Sequence, residues 1–261
     1  MTQSEIRRLG EATRDPAVSL LMLAPLALLH LSGRHGAQLE AFFLVESALE
    51  WTGSLGVTSL WIGLVVCFLW AIGRVQELSL PWRGGAVLIL LEGIAWAVLL
   101  GPGLMALTAW LPLSAAPLAL GIQEPAVVTT MVAERAAAIA PVMGLQQIHA
   151  SLAVAAGAGL YEEILFRLLG LGGLAAALNF AFRHFAAEHT SRRLSFLIAL
   201  LFSAAAFAAA HGLHGDPHAF EPDILTFRTI AGLCFGLLFV FRGLAVCAYA
   251  HFAYDAIYLL T

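Results

Sequence analysis

The chain has 261 residues, of which 61% are hydrophobic and only 11% charged, with a mean hydropathy of +0.88. A soluble domain carries roughly a quarter charged residues, so this composition excludes an ordinary soluble globule. The net charge of -4 leaves no footprint for nucleic acid, and the 13 basic residues, all Arg, read as the base-composition bias of a GC-rich genome.

Met1–Pro16 is polar, and the apolar segment behind it lacks a small-residue cleavage site. It is therefore expected to stay attached as a first membrane helix, about Ala17–Leu31. Arg34–Trp51 has an aromatic and apolar face interrupted by Glu40, Glu46 and Glu50, the pattern of a helix lying in the interface. Leu55–Gly73 and Gly85–Leu111 approach or exceed the about 20 residues that cross a hydrocarbon core. The short polar turn between them holds Glu77, Pro81 and Arg83. Pro112–Pro141, with its prolines and the pair Glu134–Arg135, reads as a long loop with a short helix. Apolar helices follow near Leu145–Leu168, Gly170–Ala187, Leu194–His211, Leu225–Phe241 and Gly243–Leu260.

The expected fold is an all-α polytopic bundle of about eight transmembrane helices, a single integral membrane domain over residues 1–261 without an internal repeat. The positive-inside rule places Arg7, Arg8, Arg14, Arg74 and Arg83 in the cytoplasm. Eight spans then put Arg192 and Arg193 on the opposite side, so one span is miscounted, most simply within Pro112–Pro141. Cys67, Cys234 and Cys247 sit in apolar segments with no paired spacing and read as small buried hydrophobes.

Ionisable groups within membrane helices cost several kcal/mol each, so their presence needs a reason. Here they cluster in the second half. One helix reads Leu160-Tyr161-Glu162-Glu163-Ile164-Leu165-Phe166-Arg167, a later one Phe207-Ala208-Ala209-Ala210-His211, and the last His251-Phe252-Ala253-Tyr254-Asp255. Glu163 and Arg167 are four apart and share a face, so they can pair. Glu162 is rotated by about 100° and escapes that partner, which leaves a carboxylate in a poorly solvated place suited to a general base. Phe207 can pack on His211 at the same spacing, and Asp255 can orient the His251 ring or a bound water. Taken singly, each feature is better explained structurally: an ion pair, an interface His, a core His. Their conjunction in order, at these spacings, is not.

These three elements, Glu162-Glu163-x-x-x-Arg167, Phe207-x-x-x-His211 and His251-x-x-x-Asp255, resemble the motifs of the CAAX protease and bacteriocin-processing family. The family consists of intramembrane endopeptidases and includes the Ras-converting CAAX endopeptidases. The resemblance runs from about Leu145 to the C-terminus, so residues 145–261 carry the catalytic motifs. It implies an eight-helix bundle with a polar cavity open to one membrane face. It also implies that Glu162 and His211 activate water, that His251 and the residue at Asp255 support the oxyanion, and that Glu163 and Arg167 hold the first motif helix. CAAX-cleaving eukaryotic members carry Asn at the position of Asp255. An ionised Asp would repel an oxyanion, so Asp255 is either protonated or holds His251 as a cation, and their shared face favours the second.

Two His and a Glu are a known zinc set. The chain lacks His-Glu-x-x-His, however, and the resemblance points to a metal-independent glutamate mechanism, so no cofactor is expected and zinc is disfavoured. Glu92 either lines the cavity or pairs with an Arg, Arg228 and Arg242 read as interfacial anchors, and His214 and His218 as exposed loop histidines.

The expected activity is hydrolysis of a peptide bond in or beside the membrane, on a peptide or membrane-anchored protein, in a bacterial cytoplasmic membrane. The alternative is a non-catalytic immunity or scaffold protein, or a carrier, on the same fold. Carriers often show two related halves, whereas the buried polar residues here lie in one. A rhomboid serine protease is excluded, because no Gly-x-Ser-Gly occurs.

Overall fold

The computed structural model describes residues 3–33, 40–77, 81–109, 144–212 and 220–260, and among these there is no strand. In chain order the helices are α1 (Gln3–Arg14), α2 (Pro16–Ser32), α3 (Glu40–Glu77), α4 (Trp82–Ala109), α5 (Leu145–Phe182), α6 (Glu188–Ala210), α7 (Pro222–Arg242) and α8 (Leu244–Leu260). Local chemistry sets several boundaries. Asp15 caps α2, its carboxylate accepting from the Ala17 N–H at 2.8 Å, and Pro16 fits the first helical turn. Only Gly243 separates α7 from α8; its φ of +88° is open to glycine and strained for a side chain.

Among the described residues α4, α5, α6 and α7 are long and apolar enough to cross a membrane. The α1–α2 pair, bent by 62°, makes a fifth if counted as one span. Leu69, Leu91, Leu99, Leu201 and Phe241 stand exposed around the outside. So large an apolar surface is stable only against lipid, which makes this an integral, multi-pass membrane protein.

The centre of the bundle is α8. Its Ala245, Val246, Cys247, Ala248 and Ala250 are fully buried. Small side chains there let neighbouring helices approach closely, the usual device where lipid supplies no hydrophobic drive between helices. From α5, a Cβ placed on Gly159 would lie 2.6 Å from the Ala248 carbonyl oxygen; from α4, one on Gly93 would lie 2.7 Å from Tyr249 Cβ. The Tyr249 hydroxyl donates to the Met22 carbonyl of α2 at 2.9 Å.

The interfacial helix and the span after it are two helices that run on from each other within Glu40–Glu77 across a kink at Gly53, where φ is +64°, in the break expected between 51 and 55. Two expectations change. The two spans expected at 145–168 and 170–187 are the single helix α5, whose middle, Ala158–Gly173, is π-helical. Gly170, Gly172 and Gly173 were natural stops by the rules of soluble helices. In hydrocarbon, backbone N–H and C=O groups must be satisfied within the segment, so glycine does not end the helix.

The second change follows from the first. The start of α8 meets the α1–α2 joint, where a Cβ on Gly243 would lie 3.8 Å from Ser19 Oγ. Arg74 Nη2 reaches Asp15 Oδ2 at 3.3 Å, and a Cβ on Gly85 would lie 3.3 Å from Ala12 Cβ. Helix α5 arrives at this same end, with Gly172 near the Phe239 ring and Asn179 Oδ1 accepting from Ser191 Oγ at 2.8 Å. Arg14, Arg74, Arg83, Arg183, Arg192 and Arg193 therefore share one end of the bundle, the end that the positive-inside rule assigns to the cytoplasm. The surplus span lay in 145–187. Pro112–Pro141, His214 and His218 lie outside the described residues.

The close approach at Gly159 is testable. Gly159→Ala should lower the melting temperature in detergent, with an overpacking cost of about 1–3 kcal/mol. Gly103→Ala, where nothing lies within 4 Å, should not. Equal melting of the two variants would show that the α5–α8 approach is not required.

Candidate active site

Helix α5 supplies Glu162, Glu163 and Arg167; α6 supplies Phe207, with His211 just past its end; α8 supplies Cys247, His251 and Asp255. All converge. Glu163 and Arg167 are fully buried, Glu162 and His251 nearly so, and the Asp255 side chain is 26% exposed, which marks the open side of the cluster.

Glu163 is the most heavily engaged group. Its Oε2 lies 3.2 Å from Arg167 Nε and accepts from the Cys247 thiol at 2.9 Å. Its Oε1 lies 2.7 Å from His251 Nδ1. An ionised carboxylate only accepts, so Nδ1 carries the proton and donates. The other imidazole nitrogen, Nε2, then faces Asp255 Oδ2 at 3.5 Å and Glu162 Oε2 at 3.9 Å. Glu162 Oε2 is buried and has no hydrogen-bond partner among the described residues.

Aromatic rings complete the pocket. The Arg167 guanidinium carbon sits 4.3 Å from the Phe207 ring centroid and 5.5 Å from that of Phe235. Among the described residues the three guanidinium nitrogens make no hydrogen bond of good geometry, and the buried cation meets one carboxylate and two π faces. Phe235 also stacks on His251, with centroids 4.8 Å apart and planes 26° apart. Phe207 packs edge-on against His211 at 4.9 Å and against His251 at 6.1 Å, which brings the second motif to the other two. His211 Nδ1 is 2.8 Å from the Phe207 carbonyl. That bond makes Nδ1 the donor and leaves Nε2 as the basic nitrogen of the neutral ring. Ser203 Oγ donates to the Phe166 carbonyl at 2.6 Å and ties α6 to the π-helical stretch of α5.

The structure thus pairs Glu163 with Arg167, packs Phe207 on His211 and sets Asp255 beside His251, as the spacings predict. It also shows what the spacings miss. The closest carboxylate to His251 is Glu163, not Asp255. Cys247 is more than a small hydrophobe, since its thiol reaches the site; its position four before His251 was the available signal. Phe235 has no signal in the sequence. Cys67, expected buried, is exposed. Glu92 pairs with Arg242 through both guanidinium Nε and Nη2, so Arg242 is a partner within the bundle and not an interfacial anchor. Among the described residues no group of three or more His, Cys, Asp or Glu is arranged as a metal-ligand set.

Residues 144–257 match the family described as Rce1-like, Type II CAAX prenyl endopeptidase Rce1-like. Every site residue named above falls inside that segment. No curated protein and no solved structure matches the chain.

The buried ion pair gives a stability prediction. Arg167→Ala strands the Glu163 charge and should destabilise the protein by about 3–5 kcal/mol, read as a lower melting temperature in detergent. A variant that melts like the parent would mean that the pair acts only in the chemistry.

Proposed function

We propose that the chain hydrolyses a peptide bond by a glutamate-activated water, its residues 144–257 matching the Rce1-like family of type II CAAX prenyl endopeptidases. The match supports a CAAX-type intramembrane endopeptidase in general; the division of labour among its residues is our reading. The observation that carries it is the inequality of two adjacent carboxylates. Glu163 has Arg167, His251 and Cys247 around it, while Glu162 Oε2 is buried without a hydrogen-bond partner.

In this mechanism Glu162, assisted by the basic nitrogen of His211, removes a proton from water, and the hydroxide adds to the scissile carbonyl carbon. The developing oxyanion is met by His251, which Glu163 holds from behind and Asp255 balances as a cation. An ionised Asp255 beside that imidazolium avoids the repulsion it would otherwise exert. The proton taken by Glu162 passes to the leaving amine as the C–N bond breaks, which restores the carboxylate. Glu163, Arg167 and Phe207 keep the groups in place.

No metal enters this scheme. The chain carries no His-Glu-x-x-His, and Glu162 with His211 is taken as the water-activating pair, so the scheme uses none. The substrate is a peptide or membrane-anchored protein reached from the Asp255 side, in a bacterial cytoplasmic membrane. A carrier also uses intramembrane charges as a substrate or proton path, but carriers often show two related halves, whereas this cluster lies within the second half of the chain.

Comparing membrane-protein termini by mass spectrometry, in cells with the chain and cells with Glu162→Gln, tests the reading. New termini should depend on the parent and disappear with Gln, a loss on the order of 10²–10⁴ in rate for a general base, while the variant still inserts and folds. Near-normal turnover by Glu162→Gln would sink the assignment. Chelators should leave the activity of the purified protein unchanged, and elemental analysis should find no stoichiometric zinc. Activity lost to chelation and restored by zinc would overturn the metal-free scheme.

A further inference from the structure

We infer that Cys247 is a positioning residue of this site, its thiol serving as the donor that fixes the Glu163 carboxylate, and through it the His251 ring. The inference rests on the proposed roles of Glu163 and His251 for its functional meaning, but the hydrogen bond itself stands on geometry alone. Cys247 is fully buried at the centre of α8. Its Sγ lies 2.9 Å from Glu163 Oε2 and 3.2 Å from the Phe235 carbonyl oxygen. One thiol proton faces two acceptors, and the nearer one is ionised. Charge-assisted bonds are roughly twice as strong as neutral ones, so the proton goes to Glu163.

The consequence is geometric. Without Cys247, Oε2 would keep only Arg167, whose Nε sits 3.2 Å away without the alignment of a hydrogen bond. The carboxylate could then turn about its Cγ–Cδ bond and carry Oε1 off His251 Nδ1. With the thiol in place, each oxygen has a hydrogen-bond donor, and the plane of the carboxylate is set. Glu163 and His251 are contributed by different helices, and Cys247 lies one turn before His251 on the same face of α8. The thiol and the imidazole thus grip opposite oxygens of one carboxylate.

Packing and hydrogen bonding make opposite demands on substitutions, which separates the two. Cys247→Ser keeps a small donor, whereas Cys247→Val keeps the apolar volume and removes the donor. With Cys67→Ser and Cys234→Ser as background, Cys247 is the sole thiol, and its S–H stretch can be read by infrared spectroscopy on the purified full chain. That band should lie at lower frequency than the band of a protein retaining only the exposed Cys67. It should move up when Glu163→Gln makes the acceptor neutral. In the terminus assay, Cys247→Ser should stay close to the parent, and Cys247→Val should lose on the order of tenfold in rate, the scale of one hydrogen bond to a charged group. In histidine-labelled protein, Cys247→Val should also shift the nitrogen resonance of His251 Nδ1. A band indifferent to Glu163→Gln would show the thiol bonded to Phe235 instead and would overturn the inference. So would a Val variant that matches the parent in both the rate and the His251 resonance. The infrared and resonance measurements need no turnover, so absence of cleavage in the parent would refute the proposed function and leave this contact to be judged on its own.

Discussion

A negative charge at the middle of a membrane bundle is costly by itself, and the Glu163 carboxylate is fully buried. Desolvating such a group costs several kcal/mol, which only good geometry and additional hydrogen bonds offset. Glu163 meets that demand with a cation, an imidazole and a thiol, from its own helix and from α8. The rest of the second half can be read as the conditions for that meeting. Gly159 lets α5 touch α8, the alanines of α8 leave room for it, and Phe207 and Phe235 cover the guanidinium that no other carboxylate reaches.

The same constraint explains why two neighbouring glutamates are used differently. Glu163 points at α8 and satisfies its acceptors there. Glu162 is turned away from Arg167 and ends 3.9 Å from His251 Nε2, on the side where Asp255 reaches the opening. Position on the helix, not residue type, gives Glu163 three partners and leaves Glu162 Oε2 without a hydrogen bond among the described residues. A π-helical stretch suits this task. Its wider turns loosen the regular carbonyl ladder, and the Phe166 carbonyl takes its bond from Ser203 on another helix. Such stretches recur at functional sites because they reposition side chains without ending a helix.

Much of this was legible in the chain, because membrane helices turn sequence spacing into spatial direction with few exceptions. Spacings of four gave the Glu163–Arg167, Phe207–His211 and His251–Asp255 neighbours, and apolar length gave the all-helical membrane class. What failed was whatever depended on contacts between distant segments or on rules learned in water. The break expected between 168 and 170 is absent, because lipid forbids an unsatisfied backbone there. That single misreading also split the arginines between two sides, when the structure gathers them at one end. Cys247 looked apolar because a thiol in an apolar run usually is. The approach of α5, more than eighty residues earlier in the chain, gives it a charged partner.

His251 stands where these arguments meet. Three carboxylates lie within 4 Å of its ring nitrogens: Glu163 at 2.7 Å on one side, Asp255 at 3.5 Å and Glu162 at 3.9 Å on the other. Against them stand one guanidinium and the imidazole itself. Groups this close do not titrate independently, so the protons of the cluster belong to the set and not to any one residue. In the proposed mechanism, a proton taken from water by Glu162 would enter a group of coupled charges, with Glu163 and Arg167 as its fixed end and Asp255 as its open one. Asn at the position of Asp255 would contribute a donor but no charge. Under the proposed mechanism, Asp would tie the oxyanion side of this site to the charge on His251, whereas an amide would act on the oxyanion directly.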